Sequence, residues 1–73
     1  MSELDSKTKE MIAIGASIAG NCIPCLRYHF KEAIKQGCTK QEIREVFEIS
    51  NMVRQSPIDE INKLVIQLLE DKE

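Results

Sequence analysis

The spacing of apolar residues follows a helical period along the whole chain. No segment alternates apolar and polar side chains for long enough to indicate a β-strand. The segment "MIAIGASIAG", residues 11–20, is apolar on nearly every face, which predicts a helix that is covered on all sides. We expect this first helix to begin after Asp5 or Ser6 and to end near Gly20. Its small residues would let another helix approach closely: Gly15, Ala16 and Ala19.

A second helix is predicted to follow at once. Asn21 belongs to the residue types favoured at helix N-caps, and Pro24 falls in the first turn, where a missing amide proton costs little. The helix should end at Gln36, because Gly37 suits the left-handed position that terminates helices. Its apolar stripe consists of Ile23, Leu26, Phe30 and Ile34.

Two further helices are predicted in the second half of the chain. "TKQE", residues 39–42, is a capping box. "SPIDE", residues 56–60, offers an N-cap serine, a proline at the first helical position and early acids. The inner faces would be Ile43, Val46, Phe47, Ser50 and Val53, then Ile58, Ile61, Val65, Leu68 and Leu69. The pattern therefore predicts one all-α domain over residues 1–73, a small bundle of about four helices.

The composition indicates that the chain associates with further copies of itself. The chain has 73 residues, is 42% hydrophobic and has no tryptophan. A chain this short buries only about 60% of the surface that its unfolded form exposes, so its own core is small. We expect a homo-oligomer, because a second subunit would cover apolar surface that one chain cannot hide.

Charge and hydropathy exclude several classes of partner. The net charge is −2 and the basic residues are scattered, so no stripe exists to follow a nucleic acid backbone. The apolar run of residues 11–20 is too short to span a bilayer, and no signal peptide pattern is present. We therefore expect a cytoplasmic protein. In that compartment, a C-x-x-C pair indicates redox or metal chemistry.

The stretch "CIPCLRYH" contains the candidate chemistry. At about 100° per residue, Cys22, Cys25 and His29 form one row beside the apolar stripe of the second helix. The first turn of a helix stabilises a thiolate, and His29 lies one turn from Cys25 and can accept its proton. The spacing of the two cysteines also permits a disulfide. If the first two helices run antiparallel, Glu10 lies near His29 and can orient the imidazole.

These residues resemble the signature of a known family. Glu10, eleven residues, "CIPC", three residues and His29 match E-x(11)-C-x-x-C-x-x-x-H, the mark of the alkyl hydroperoxidase D-like branch of the carboxymuconolactone decarboxylase family. The resemblance covers roughly residues 7–56, including "IAIGASIAGNCIPCLRYHFKEAIKQGCTKQEIREVFEIS". Decarboxylases of the same family act on a lactone and typically lack the cysteine pair.

The resemblance implies an all-α protein that is usually oligomeric (a dimer, trimer or hexamer). It implies thiol-dependent reduction of peroxides or partner disulfides, with a dithiol or a reductase protein as the reductant and no cofactor or metal. By the same resemblance, Cys25 attacks the substrate, Cys22 resolves the intermediate, and His29 with Glu10 relays protons.

The alternative is a non-enzymatic helical assembly module whose cysteines are structural or bind zinc. Structural zinc sites use four ligands, usually in two separated pairs. Here one pair and one histidine are joined only by Cys38, which would lie ~24 Å from Cys22 along a straight helix. A zinc site would therefore need more than one subunit. We interpret Cys38 as a packing residue.

Overall fold

The computed structural model describes residues 3–71, and within that range it consists of helices without a strand. The helices are α1 (Ser6–Ala19), α2 (Ile23–Lys35) and α3 (Lys40–Glu70). Helix α1 packs against both other helices, whereas α2 and α3 make no helix–helix contact with each other. None of the helices described is long and apolar enough to cross a bilayer. The predicted all-α class is confirmed.

The beginnings of α1 and α3 agree with the sequence. The side chain of Asp5 accepts a hydrogen bond from the amide of Thr8 at 2.8 Å. Hydrogen bonds from the side chain of Thr8 and from its amide lower the pKa of the Asp5 carboxyl. At α3 the predicted capping box is complete. Thr39 Oγ1 accepts from the amide of Glu42 at 3.0 Å, and the Glu42 carboxylate accepts from the amide of Thr39 at 2.8 Å.

Helices α1 and α2 end in the same way, with one left-handed residue. Gly37 has φ 92° and Asn21 has φ 54°. The amides of Cys22 and Cys38 each donate at 2.9 Å to the carbonyl five residues earlier, which satisfies a carbonyl of the preceding last turn. The role predicted for Gly37 is confirmed. The prediction that Asn21 is the N-cap of α2 is wrong, because Asn21 ends α1 and Cys22 is the N-cap.

The predicted third and fourth helices are a single helix. Helix α3 runs for 31 residues with Pro57 inside it, so the structure has three helices instead of four over residues 3–71. An interior proline removes one helical hydrogen bond and crowds the carbonyl four residues earlier, and α3 continues across Pro57 at this cost. Ser56 therefore lies inside a helix and does not cap one.

The core is small and centred on α1. It consists of Ile14, Ile18, Ala33, Cys38 and Ile43, with Met11, Leu26 and Val46 packed against it. At Gly15, α1 lies close against α3. A Cβ atom there would lie 3.0 Å from Ser50 Oγ. This confirms the close approach predicted at Gly15, and the packing role predicted for Cys38 is also confirmed.

Polar contacts fix α3 against α1 at two places. Lys7 Nζ lies 2.8 Å from Glu42 Oε2, and this ion pair lowers the pKa of Glu42 and raises that of Lys7. Farther along α3, Arg54 donates to the carbonyl of Ile18 at 3.2 Å and to Asn21 Oδ1 at 3.0 Å. The guanidinium thus holds the end of α1 against α3.

Much of the predicted buried surface is uncovered within one chain. Ile12 on α1 is 56% exposed, so one chain alone does not cover the first helix on all sides, and its cover by a second subunit stays a prediction. Other predicted inner positions are likewise exposed within one chain, where they were expected to be buried in a four-helix bundle: Ile23, Phe30, Ile34, Phe47, Val53, Ile58, Ile61, Val65, Leu68 and Leu69. An apolar pattern identifies the face that needs cover but does not say what covers it.

Candidate active site

The cysteine pair lies where α1 ends and α2 begins. Cys22 and Cys25 form a disulfide across the first turn of α2, with their Cα atoms 5.3 Å apart. Cys22 is the N-cap, and its Sγ accepts a hydrogen bond from the amide of Cys25 at 3.4 Å. The backbone hydrogen bond that ends α1 and the first turn of α2 therefore position the pair.

This position favours redox chemistry. The first amides of a helix have no intrahelical acceptor, and together with the helix dipole they stabilise a negative charge at the N-terminus. A thiolate released by reduction of the disulfide would lie in that field. Cys25 is exposed and Cys22 is partly buried, so an external thiol or peroxide can reach Cys25 from solvent.

His29 and Glu10 make the contact that the antiparallel arrangement predicts. His29 Nδ1 lies 2.8 Å from Glu10 Oε2, in a partly buried contact between α2 and α1. A carboxylate that accepts the Nδ1 proton fixes the tautomer of the imidazole, which leaves Nε2 free to take up a proton. The ring of Tyr28 meets the imidazole edge-on, with centroids 5.0 Å apart.

The four predicted site residues are thus arranged along the α1–α2 hairpin. Cys25 and His29 are neighbours on one helix face at i and i+4, and Glu10 approaches that face from α1. This set offers a nucleophile, a second thiol that can close a disulfide, and a histidine with a fixed tautomer. The catalytic roles of Cys22, Cys25, His29 and Glu10 stay a prediction.

The structure also has an open groove that was not predicted from the sequence. The α2–α3 groove, as we name it, lies between these two helices over α1 and has a volume of about 820 Å³. Its apolar lining includes Ile18, Ile23, Leu26, Phe30, Ile43 and Phe47. Cys22 also lines it. The sequence predicts more apolar surface than one chain can bury, but the pattern does not show where on the molecule that surface lies open.

Cys38 is separate from the pair. Its Sγ lies 3.7 Å from the carbonyl of Lys7 in the core, and burial raises the pKa of this thiol. Between residues 3 and 71, no three His, Cys, Asp or Glu side chains are grouped in a way that would hold a metal ion. Cys38 therefore cannot complete a zinc site with Cys22 and Cys25 in one chain.

Comparison with known proteins identifies the family. The model of the carboxymuconolactone decarboxylase family matches residues 1–59, which include all four candidate residues. No curated protein matches the chain, and no solved structure does. Since the family match covers well over half of the sequence, the chain belongs to the carboxymuconolactone decarboxylase family.

Proposed function

We propose that this chain is a thiol-dependent oxidoreductase of the alkyl hydroperoxidase D-like branch, and that it reduces a peroxide or a partner disulfide through Cys22 and Cys25. The observation that carries the proposal is the disulfide in the first turn of α2, with the hydrogen-bonded His29 and Glu10 one turn farther along. The family as a whole includes decarboxylases and peroxidase-like enzymes, so membership alone does not select the reaction.

In the peroxide reaction, Cys25 is the attacking thiol. His29 takes the thiol proton, and the thiolate attacks the terminal peroxide oxygen. The O–O bond breaks, the sulfur becomes a sulfenic acid, and the departing alkoxide takes the proton from the imidazolium to leave as an alcohol. The exposure of Cys25 and its i, i+4 spacing to His29 support this assignment.

Cys22 then closes the disulfide. Its sulfur attacks the sulfenic sulfur of Cys25, and the hydroxyl group leaves with the Cys22 proton as water. An external dithiol attacks the disulfide, passes through a mixed disulfide and restores both thiols. With a partner disulfide as substrate, the Cys25 thiolate would attack one of its sulfurs and form a mixed disulfide. Cys22 would then attack the Cys25 sulfur and release the reduced partner. We assign the reaction to the cytoplasm, where dithiol reductants are kept reduced.

Glu10 is a positioning residue in this scheme. Its carboxylate holds the Nδ1 proton of His29, so that Nε2 exchanges the proton with Cys25 and with the leaving oxygen. Loss of such proton transfer typically costs about 10²-fold to 10⁴-fold in rate. We expect His29→Ala to lower turnover within that range, and Glu10→Gln to lower it less, because the amide still accepts a hydrogen bond.

The competing function is a helical assembly module with structural or zinc-binding cysteines. Within one chain, the only other cysteine is in the core at the far end of α2, so a zinc site would need ligands from several copies. Metal analysis of anaerobically purified protein separates the two functions. Stoichiometric zinc that protects the thiols from alkylation would favour the assembly module.

The test is a peroxidase assay with an organic hydroperoxide and an excess of a dithiol. We expect Cys25→Ser and Cys22→Ser to abolish turnover, and His29→Ala to reduce it. Cys38→Ser is the matched control and should retain wild-type activity, because this thiol lies in the core away from the pair. Wild-type activity in the Cys25→Ser variant would remove that residue from the mechanism.

A second measurement on the same variants follows the rate of Cys25 alkylation against pH. It tests whether His29 activates the thiol or only supports the structure. Thiolate formation in His29→Ala should move to higher pH than in the wild type, because the imidazolium no longer stabilises the negative charge. Glu32→Gln is the control, since Glu32 is on α2 but pairs with Lys35. Coinciding curves for wild type and His29→Ala would show that His29 has no part in activating the thiol.

A further inference from the structure

The last part of α3 is exposed, and no described residue of α1 or α2 covers it. We call residues 58–71 the C-terminal segment; every residue in it is exposed. Its apolar side chains recur with the i, i+3, i+4, i+7 spacing of a helix that packs on one side. They are Ile58, Ile61, Leu64, Val65, Ile66, Leu68 and Leu69, with exposed fractions between 46% and 80%. This is the pattern of a helix whose apolar face packs against another surface.

The α2–α3 groove is also an apolar surface, but it is concave, whereas the helical C-terminal segment is convex. The chain cannot fill it with its own C-terminal segment, because α3 is one continuous helix about 46 Å long that carries the segment away from α1 and α2. The longest dimension of the molecule, 59 Å, reflects this projection. A single chain therefore exposes both an unfilled groove and an uncovered helix.

The two surfaces carry opposite charges. Arg27, Lys31 and Arg54 line the groove, and no acidic residue does. Arg27 and Lys31 have no ion-pair partner among residues 3–71. The C-terminal segment has four acidic residues and one lysine, a net charge of −3: Asp59, Glu60, Lys63, Glu70 and Asp71. Opposite charges on the two surfaces would speed their encounter, while the apolar side of the segment enters the groove.

The size of the molecule indicates how much surface needs cover. A compact chain of 73 residues has a radius of gyration of about 11 Å, whereas this one has 17.0 Å. A folded monomer of 8.3 kDa exposes about 4,600 Å², whereas this chain exposes 5977 Å². The excess of about 1,400 Å² exceeds the roughly 800 Å² that each partner contributes to a stable interface.

We propose that the C-terminal segment of a second copy occupies the α2–α3 groove, and that two copies exchange their segments reciprocally. Each exchange covers the groove wall that includes Cys22. Cys25 does not line the groove, so the exchange leaves it open to solvent. This interface is independent of the proposed redox reaction, and each can be tested without the other.

The first test measures the mass of the full chain by light scattering during gel filtration at about 10 µM. We expect a dimer for the wild type and a single copy for the double variant Ile61→Asp, Leu68→Asp. Both side chains are exposed in one chain, so their replacement removes no intrachain packing. Gln67→Asp is the matched control on the polar side of the helix and should stay dimeric. A single-copy wild type, or a double variant with unchanged mass, would overturn the proposal.

The second test identifies what lies in the groove. A photo-crosslinking amino acid replaces Phe30 in an equal mixture of ¹⁴N-labelled and ¹⁵N-labelled protein, and Lys35, an exposed residue of the same helix, serves as the control position. We expect position 30 to cross-link to residues 58–71, with about half of the products of mixed isotope. Products within one chain only, from groove to groove, or with no protein at all would each contradict a segment exchange between copies.

Discussion

Cys22 occupies two structural positions at once. Its amide closes the end of α1 by donating to the carbonyl of Ser17, and its sulfur caps α2 by accepting from the amide of Cys25. Sulfur is a weak acceptor, so as a cap it stabilises α2 less than a serine or aspartate would. A thiolate at that position would accept the same bond more strongly. The geometry of the pair is thus set by backbone hydrogen bonds between residues close in sequence. Reduction followed by loss of a thiol proton places a negative charge there.

The ion pair between Lys7 and Glu42 makes part of the stability dependent on pH. The pair holds the pKa of Glu42 below its ordinary value of 4.5, so the folded state releases this proton more readily than the unfolded state. The stabilisation is therefore complete above pH 4.5 and is lost as the pH falls through the lower folded value. We expect Glu42→Gln, which can keep the capping box, to lose less stability than the wild type between pH 6 and pH 3.

Urea unfolding across that pH range, at fixed protein concentration, measures the difference. Glu45→Gln is the matched control, because Glu45 lies exposed on the same helix with no ion pair among the described residues. Its pH profile should follow that of the wild type. Identical profiles for Glu42→Gln and the wild type would mean that the Lys7 contact does not link stability to pH.

At the scale of the element, Ser56 and Pro57 decide whether α3 is one helix or two. Inside a continuous helix, Ser56→Ala should stabilise by up to about 0.5 kcal/mol through helix propensity. At an N-cap, the same substitution would cost about 1 kcal/mol. The two arrangements therefore predict opposite signs. We expect a gain in helix content by circular dichroism and no loss of stability in urea.

Pro57→Ala extends the same comparison. In the interior of a helix, alanine is about 3 kcal/mol more favourable than proline, whereas at the first helical position the two differ little. Glu48→Ala is the control, because Glu48 is an exposed residue earlier on the same helix. It should change the free energy of unfolding by only a few tenths of a kcal/mol. A destabilised Ser56→Ala variant would show that a break at Ser56 is populated in solution.

Features of the fold that depend on nearby residues were predictable from the sequence. The capping box at Thr39 and the left-handed Gly37 each depend on contacts within five residues, so local rules suffice for them. The local rules predict the wrong helix for Asn21 by one position, because asparagine suits both an N-cap and a left-handed turn. The continuity of α3 was not predictable, since the residues around Pro57 are equally suited to begin a helix.

The candidate site shows the same division. The contact between His29 and Glu10 followed from assuming an antiparallel hairpin and counting residues from its turn. The α2–α3 groove could not be foreseen, because the stripe containing Leu26 and Phe30 indicates an apolar face without specifying its cover. Sequence periodicity identifies apolar faces that need cover. Which helix or subunit covers each face depends on the distances between whole helices.

At the scale of the whole molecule, α1 contributes residues both to the candidate active site and to the groove. The disulfide and the His29–Glu10 contact lie along the hairpin of α1 and α2, whereas the groove lies between α2 and α3. Cys22 belongs to both, because it lines the groove and forms half of the disulfide. Assembly on the groove side would dry one side of the pair without blocking Cys25, so oligomerisation and substrate access need not compete.

The stability of the molecule should depend on its concentration. The core of one chain contains few buried side chains, and the C-terminal segment is uncovered, so the exchange of segments would supply a large share of the apolar burial. For a dimer that unfolds to two chains, a hundredfold rise in concentration adds about 2.8 kcal/mol per dimer to the apparent free energy of unfolding. We expect the thermal midpoint of the wild type to rise between 1 and 100 µM. The Ile61→Asp, Leu68→Asp variant should melt at a lower temperature that does not change with concentration, and a wild-type midpoint independent of concentration would show that one chain is stable alone.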